Sequence, residues 1–267
     1  MARFALGILG FGNMASAIAA SALGKDLYAP EDICVFDADS EKNTAILARG
    51  FALAESASDV VLESEMILLA VKPQVIAEVC ADIAPAAEGK TFISIAAGIS
   101  AAYIKTLLGA DTHVVTVMPN TPIMLGCGAT AIAKDPSVPD AIYEKASRIF
   151  EAAGLVEFVP QEKMNEIICL NASSPAYFFR MADVMANAGA AQGIDRDTAL
   201  RLVAKAMEGA AKMLMESGES PSELESKVTS LGGTTFAALQ AMDKRGFSEA
   251  LLSGMSACTK RAYELGK

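Results

Sequence analysis

Apolar residues crowd into short runs along the first 160 positions of this chain. Positions 4–9, 33–36, 66–71, 92–95 and 114–118 are apolar almost throughout. A strand with one wet face alternates apolar and polar residues, whereas a strand covered on both faces does not. The five runs therefore predict a doubly wound parallel sheet flanked by helices. Between them the apolar spacing lengthens to three and four residues, over 15–23 and 75–83, which predicts the crossover helices. Two later runs, 129–133 and 155–159, flank a helical pattern over 140–152 and predict an extension of the sheet.

The texture changes near Pro160. Leu200, Val203, Met207, Ala210 and Leu214 recur at helical spacing, and Gly193 and Gly218 read as helix ends. The pattern predicts an α/β domain over 1–160 followed by an all-helical domain over 161–267. A face of small residues, Ala186, Ala188, Ala190 and Ala191, suits close helix contact, within the chain or between subunits.

Composition narrows the chemistry. A formal charge of −10 repels a phosphate backbone, so no nucleic-acid partner is expected. With a single histidine, His113, the chain has neither a histidine triad nor a histidine metal cluster. Its five cysteines have no CxxC or metal spacing, and no metal site is expected. No apolar run approaches the roughly 18 residues of a membrane span, and no secretory signal pattern opens the chain. A cytoplasmic protein without a membrane partner is the expectation.

Gly10-Phe11-Gly12-Asn13-Met14-Ala15 links the first strand to the first helix. Gly10 suits a tight turn, Gly12 the close approach of a pyrophosphate, and Ala15 tight helix–strand packing. The anion would lie on the helix N-terminus, although a plain structural turn would use the same residues. Asp37, ending the second strand, can accept hydrogen bonds from a ribose diol and would repel a 2′-phosphate, which favours NAD(H) over NADP(H). Capping of the next helix, or a phosphate held by Ser40 and Lys42, is the competing reading.

Ligands of open parallel sheets lie beyond the carboxyl ends of the strands. Three loops fall there: Ala70-Val71-Lys72-Pro73-Gln74, Ala96-Ala97-Gly98 and Met118-Pro119-Asn120-Thr121-Pro122. Asn120 and Thr121, stiffened between prolines, are candidates for nicotinamide or substrate contact; Lys72 is either a cofactor contact or a solvated surface lysine. In the second half, Gly232-Gly233-Thr234-Thr235 precedes a helical run over 236–242. That turn can receive a small carboxylate, or its threonines can simply cap the helix.

These motifs, with Ser174-Pro175-Ala176-Tyr177 and Gly209-Ala210-Ala211-Lys212-Met213, resemble the pyrroline-5-carboxylate reductase family in order and spacing along the whole chain. The resemblance implies a Rossmann domain joined to an all-α dimerisation domain, a homodimer or higher oligomer, and reduction of 1-pyrroline-5-carboxylate to L-proline with NADPH or NADH. It implies cofactor contacts at Gly10, Gly12, Asn13, Met14, Ala70, Lys72, Pro73 and Ala97. It further implies a carboxylate site at Gly232, Gly233, Thr234 and Thr235, with Thr235 near the ring nitrogen. Gln161, Ile168, Asn171, Ala172 and Leu231 depart from the family's usual glutamate, threonine, serine-glycine and proline. A related reductase of another imino or hydroxy acid, or a weakly catalytic dinucleotide binder, would share the same plan.

Overall fold

In the computed structural model, which describes residues 2–265, each of the seven apolar runs lies on a strand. The strands are β1 (Phe4–Leu9), β2 (Ile33–Phe36), β3 (Ala52–Leu53), β4 (Ser64–Leu69), β5 (Thr91–Ser94), β6 (His113–Met118), β7 (Gly128–Lys134) and β8 (Gly154–Pro160). They form one sheet in the order β3-β2-β1-β4-β5-β6-β7-β8. The first six are parallel. β7 runs antiparallel to β6, and β8 pairs parallel with β7.

The order reverses at β1, whose neighbours are β2 on one side and β4 on the other. A crevice opens beyond the carboxyl ends at such a switch point, and ligands bind there. β4 stops at Leu69 rather than at the end of the apolar run. Ala70 still donates its N–H to the Leu9 carbonyl at 2.9 Å, and the chain then turns at Lys72-Pro73.

The helices of this part are α1 (Asn13–Gly24), α2 (Asn43–Leu47), α3 (Ala57–Glu63), α4 (Ile76–Ile83), α5 (Ala101–Leu108), α6 (Asp140–Glu151) and α7 (Met164–Ile167). Those before α7 pack into two main cores, as burial on both sheet faces requires. On one face Leu6, Ile8, Val115 and Val117 pack with Ile18 of α1 and Ile149 and Phe150 of α6. On the other, Phe4, Ile67, Leu69 and Phe92 pack with Val60 of α3, Ile83 of α4 and Ile104 of α5.

A π-helical turn, Ile168–Ala172, leads to α8 (Ser174–Ala191), α9 (Arg196–Glu216), α10 (Pro221–Val228), α11 (Thr234–Lys244) and α12 (Phe247–Leu265). Among the described residues the chain forms two compact units, 2–173 with 258–265, and 174–257. Residues 161–173 belong with the sheet because Met164 packs on Met118, Ala131 and Ala133. Gly193 and Gly218 both take positive φ beside helix ends, as expected from the sequence. No helix among the described residues is long and apolar enough to cross a membrane.

Candidate dinucleotide site and carboxylate turn

Gly10 adopts φ +88°, a conformation that side-chain-bearing residues rarely take, and its N–H donates to the Phe36 carbonyl at 2.9 Å. A Cβ here would stand 2.9 Å from the Ala70 carbonyl oxygen, so the turn must pass close to the loop after β4. Gly12 is the N-cap of α1, in extended backbone, and no side chain caps the helix. A Cβ on Gly12 would meet nothing within 4 Å. The α1 N-terminus thus presents backbone amides and the positive end of its dipole to an open space.

That space is a cavity of about 340 Å³ lined by Gly10, Gly12, Asp37, Lys42, Ala70 and Lys72 among others. Residues of the glycine turn, of the end of β2 and of the loop after β4 therefore meet at one crevice, while the loops after β5 and β6 line a different one. Asn13, Met14 and Pro73 are chain neighbours of the first crevice's lining. Ala97 is exposed in the loop after β5.

Asp37 Oδ2 accepts the Phe11 amide at 2.5 Å and Lys42 Nζ at 2.9 Å, and Oδ1 accepts the Asp39 amide at 2.9 Å. Burial pushes this carboxyl up, but the Phe11 amide, the Lys42 ammonium and the Asp39 amide outweigh it and hold it below its ordinary value. Asn120 is buried, and its side chain faces inward. Its Oδ1 accepts the Ala129 amide at 2.9 Å, and its Nδ2 donates to the Asn171 carbonyl at 3.2 Å. Asn171 Nδ2 in turn donates to the carbonyls of Met118 at 2.7 Å and Ala129 at 3.2 Å. The two asparagines lace the end of β6 to the start of β7 and to the π-helical turn. Sequence reasoning marked Asn171 as a departure without seeing this role, which no local pattern signals.

A second cavity, about 230 Å³, lies at the carboxyl ends of β5 and β6. Its lining includes Ala96, Gly98, Thr116, Met118, Gln161 and Tyr263. Thr116 Oγ1 is buried there without a partner among the described residues. Tyr263, near the end of α12, donates to Glu166 at 3.1 Å.

In the helical unit, Gly232 takes φ +76° and Gly233 is the N-cap of α11, its N–H donating to the Ser230 carbonyl at 2.9 Å. Thr234 and Thr235 are the first two residues of the helix, and no side chain caps it. Helix capping by the threonines, one reading of the sequence, is not realised. The first turn of α11 therefore has no side-chain cap on its amides. Thr234 is exposed and Thr235 half-buried, while Leu231 is 91% exposed.

A reversed parallel sheet with a glycine turn on an uncapped helix N-terminus defines a dinucleotide-binding protein of the Rossmann class. Residues 161–265 match the family described as pyrroline-5-carboxylate reductase dimerisation, and residues 5–98 that described as NADP oxidoreductase, coenzyme F420-dependent. The chain is 37% identical over 265 residues to pyrroline-5-carboxylate reductase of Synechocystis, covering 98% of each. A solved pyrroline-5-carboxylate reductase from Coxiella burnetii superposes with a TM-score of 0.92 at 30% identity, covering 99% of both chains. The NADP-bound pyrroline carboxylate reductase of Plasmodium falciparum shares the fold, with a TM-score of 0.90 at 24% identity over the full length of both. The chain belongs to the pyrroline-5-carboxylate reductase family.

Proposed function

We propose that this chain reduces 1-pyrroline-5-carboxylate to L-proline with NADPH or NADH, closing proline biosynthesis in the cytoplasm. The observation that carries the reading is the glycine turn open on an uncapped α1 in a chain with family likeness from end to end. Gly10, Gly12, Asn13 and Met14 would hold the pyrophosphate, with Ala70, Lys72, Pro73 and Ala97 along the dinucleotide. When bound, a reduced nicotinamide supplies the hydride that the imine carbon accepts as its C=N π-electrons pass to nitrogen.

The protein's own part is orientation. Amides at Gly233 to Thr235 hold the substrate carboxylate, and the Thr235 hydroxyl hydrogen-bonds the ring nitrogen. Positioning of this kind can contribute about 7–11 kcal/mol. A threonine is a poor acid, and His113 opens β6 at the end of the sheet opposite the glycine turn, a strand length of roughly 20 Å away. We assign the nitrogen's proton to solvent water, with neither of these residues acting as its donor. Asn120 serves by holding the loop after β6 rather than by touching a ligand with its amide.

The helical unit carries a second argument. Among residues 174–257 only Pro175, Ala186 and Ala199 are buried, while Phe179, Val184, Leu202 and Met215 are each more than 60% exposed. An apolar surface of this extent belongs in an interface, and a homodimer or higher homo-oligomer covers it.

The direct test mixes the protein with racemic pyrroline carboxylate and NADPH or NADH. Loss of reduced-nicotinamide absorbance matched by proline formation is the expected result. Turnover only with other imino or hydroxy acids would replace the substrate, and binding without turnover would remove the catalytic reading.

A further inference from the structure

An acidic residue ending the second strand ordinarily binds the ribose hydroxyls of an unphosphorylated dinucleotide. In this structure the carboxylate is already engaged. The Phe11 amide, the Asp39 amide and Lys42 Nζ occupy three of the roughly four acceptor positions of Asp37. Its side chain is only 8% exposed. Phe11 is the central residue of the glycine turn, so the bond from Asp37 ties the turn to the end of β2.

Lys42 differs. Its side chain is 36% exposed, it lines the same cavity as Gly10 and Gly12, and one of its three N–H donors goes to Asp37. The ammonium at 2.9 Å also offsets the Asp37 charge, which weakens the repulsion a 2′-phosphate would otherwise meet. The exposed hydroxyl of Ser40 lies two residues before it.

We propose that Asp37 is a clasp that fixes the glycine turn, and that Lys42 recognises the 2′-phosphate and turns the site toward the phosphorylated dinucleotide. The proposal rests on the cavity being the dinucleotide site. Asp37 is accordingly a positioning residue, and Lys42 a specificity residue.

The test uses the full chain and calorimetric binding of adenosine 2′,5′-bisphosphate, 5′-AMP, NADPH and NADH, together with thermal unfolding of the ligand-free protein. The wild type should bind each 2′-phosphorylated ligand about tenfold tighter than its counterpart, and Lys42→Gln should abolish that ratio while leaving NADH affinity unchanged. Asp37→Asn should keep the ratio and lower the ligand-free Tm by roughly 2–4 °C. A wild type favouring the unphosphorylated ligands would overturn the role of Lys42. NADH affinity falling tenfold in Asp37→Asn at unchanged Tm would overturn the clasp. Absence of binding by all four ligands would instead reject the cavity as a dinucleotide site.

Discussion

Gly10 and Gly12, with one residue between them, should fail in different ways when replaced by alanine. In Gly10→Ala the new Cβ meets the Ala70 carbonyl oxygen at 2.9 Å and its carbon at 3.1 Å, both backbone atoms that cannot swing aside. A positive φ of 88° adds about 1–2 kcal/mol for an L side chain, and overpacking adds about 1–3 kcal/mol. The sum, roughly 2–5 kcal/mol, is a large share of a typical folding stability of about 5–15 kcal/mol. Gly12→Ala meets nothing within 4 Å and sits at φ −82°, which alanine adopts freely. Alanine is a poorer N-cap than glycine, but it loses less entropy on folding, by about 0.4–1 kcal/mol, so the net change stays within about 1 kcal/mol. Its methyl nevertheless enters the space where the pyrophosphate must approach. Loss of one charge-assisted hydrogen bond, about 1.5–3 kcal/mol, weakens dinucleotide binding about 10- to 150-fold. Urea unfolding followed by circular dichroism, with calorimetric titration of NADPH, separates the two effects. Gly12→Ala binding NADPH as the wild type does, or unfolding as early as Gly10→Ala, would refute the reasoning.

Other expectations follow from the same geometry. Thr235→Ala should lower kcat/KM for pyrroline carboxylate about tenfold or more and leave NADPH affinity unchanged, a split that steady-state kinetics and titration read directly. Asn171→Ala strips hydrogen bonds from the Met118 and Ala129 carbonyls, and urea unfolding should show a loss of about 2 kcal/mol. Asp37 is held below its ordinary 3.8, so its contribution is present above that value and fades as the pH falls through the lower folded value. The stability gap between wild type and Asp37→Asn should be flat from pH 5 to 8 and shrink below pH 4. Phe179→Glu with Leu202→Glu places charge on two of the most exposed apolar positions of the helical unit. Light scattering should then report a monomer.

The sheet was legible because strands buried on both faces leave nearly unbroken apolar runs, and the five such runs before residue 120 all became strands, with 129–133 and the more exposed 155–159 extending the sheet as β7 and β8. β3 and α2 left no such mark: two residues and five residues are too short for a period to show. The glycine turn and the loops after β4 and β5 were legible because the switch-point rule places them before any side chain is seen. Partners chosen by tertiary contact were not. Nothing local says that Asp37 spends its oxygens on Phe11 and Lys42, or that Asn120 turns inward to Ala129 and Asn171. Nothing local excluded helix capping by Thr234 or Thr235 either, until the backbone placed Gly233 at the N-cap.

The most direct measurement of the central claim, hydride transfer from a dinucleotide to a cyclic imine on this protein, is isotopic. Pyrroline carboxylate is reduced with NADPH carrying deuterium at C4 in one configuration and then the other, and the proline is analysed by mass spectrometry and NMR. The account predicts a single deuterium, delivered from one configuration only, on the ring carbon that had been doubly bonded to nitrogen. Proline without label from both, or no proline at all, would contradict it.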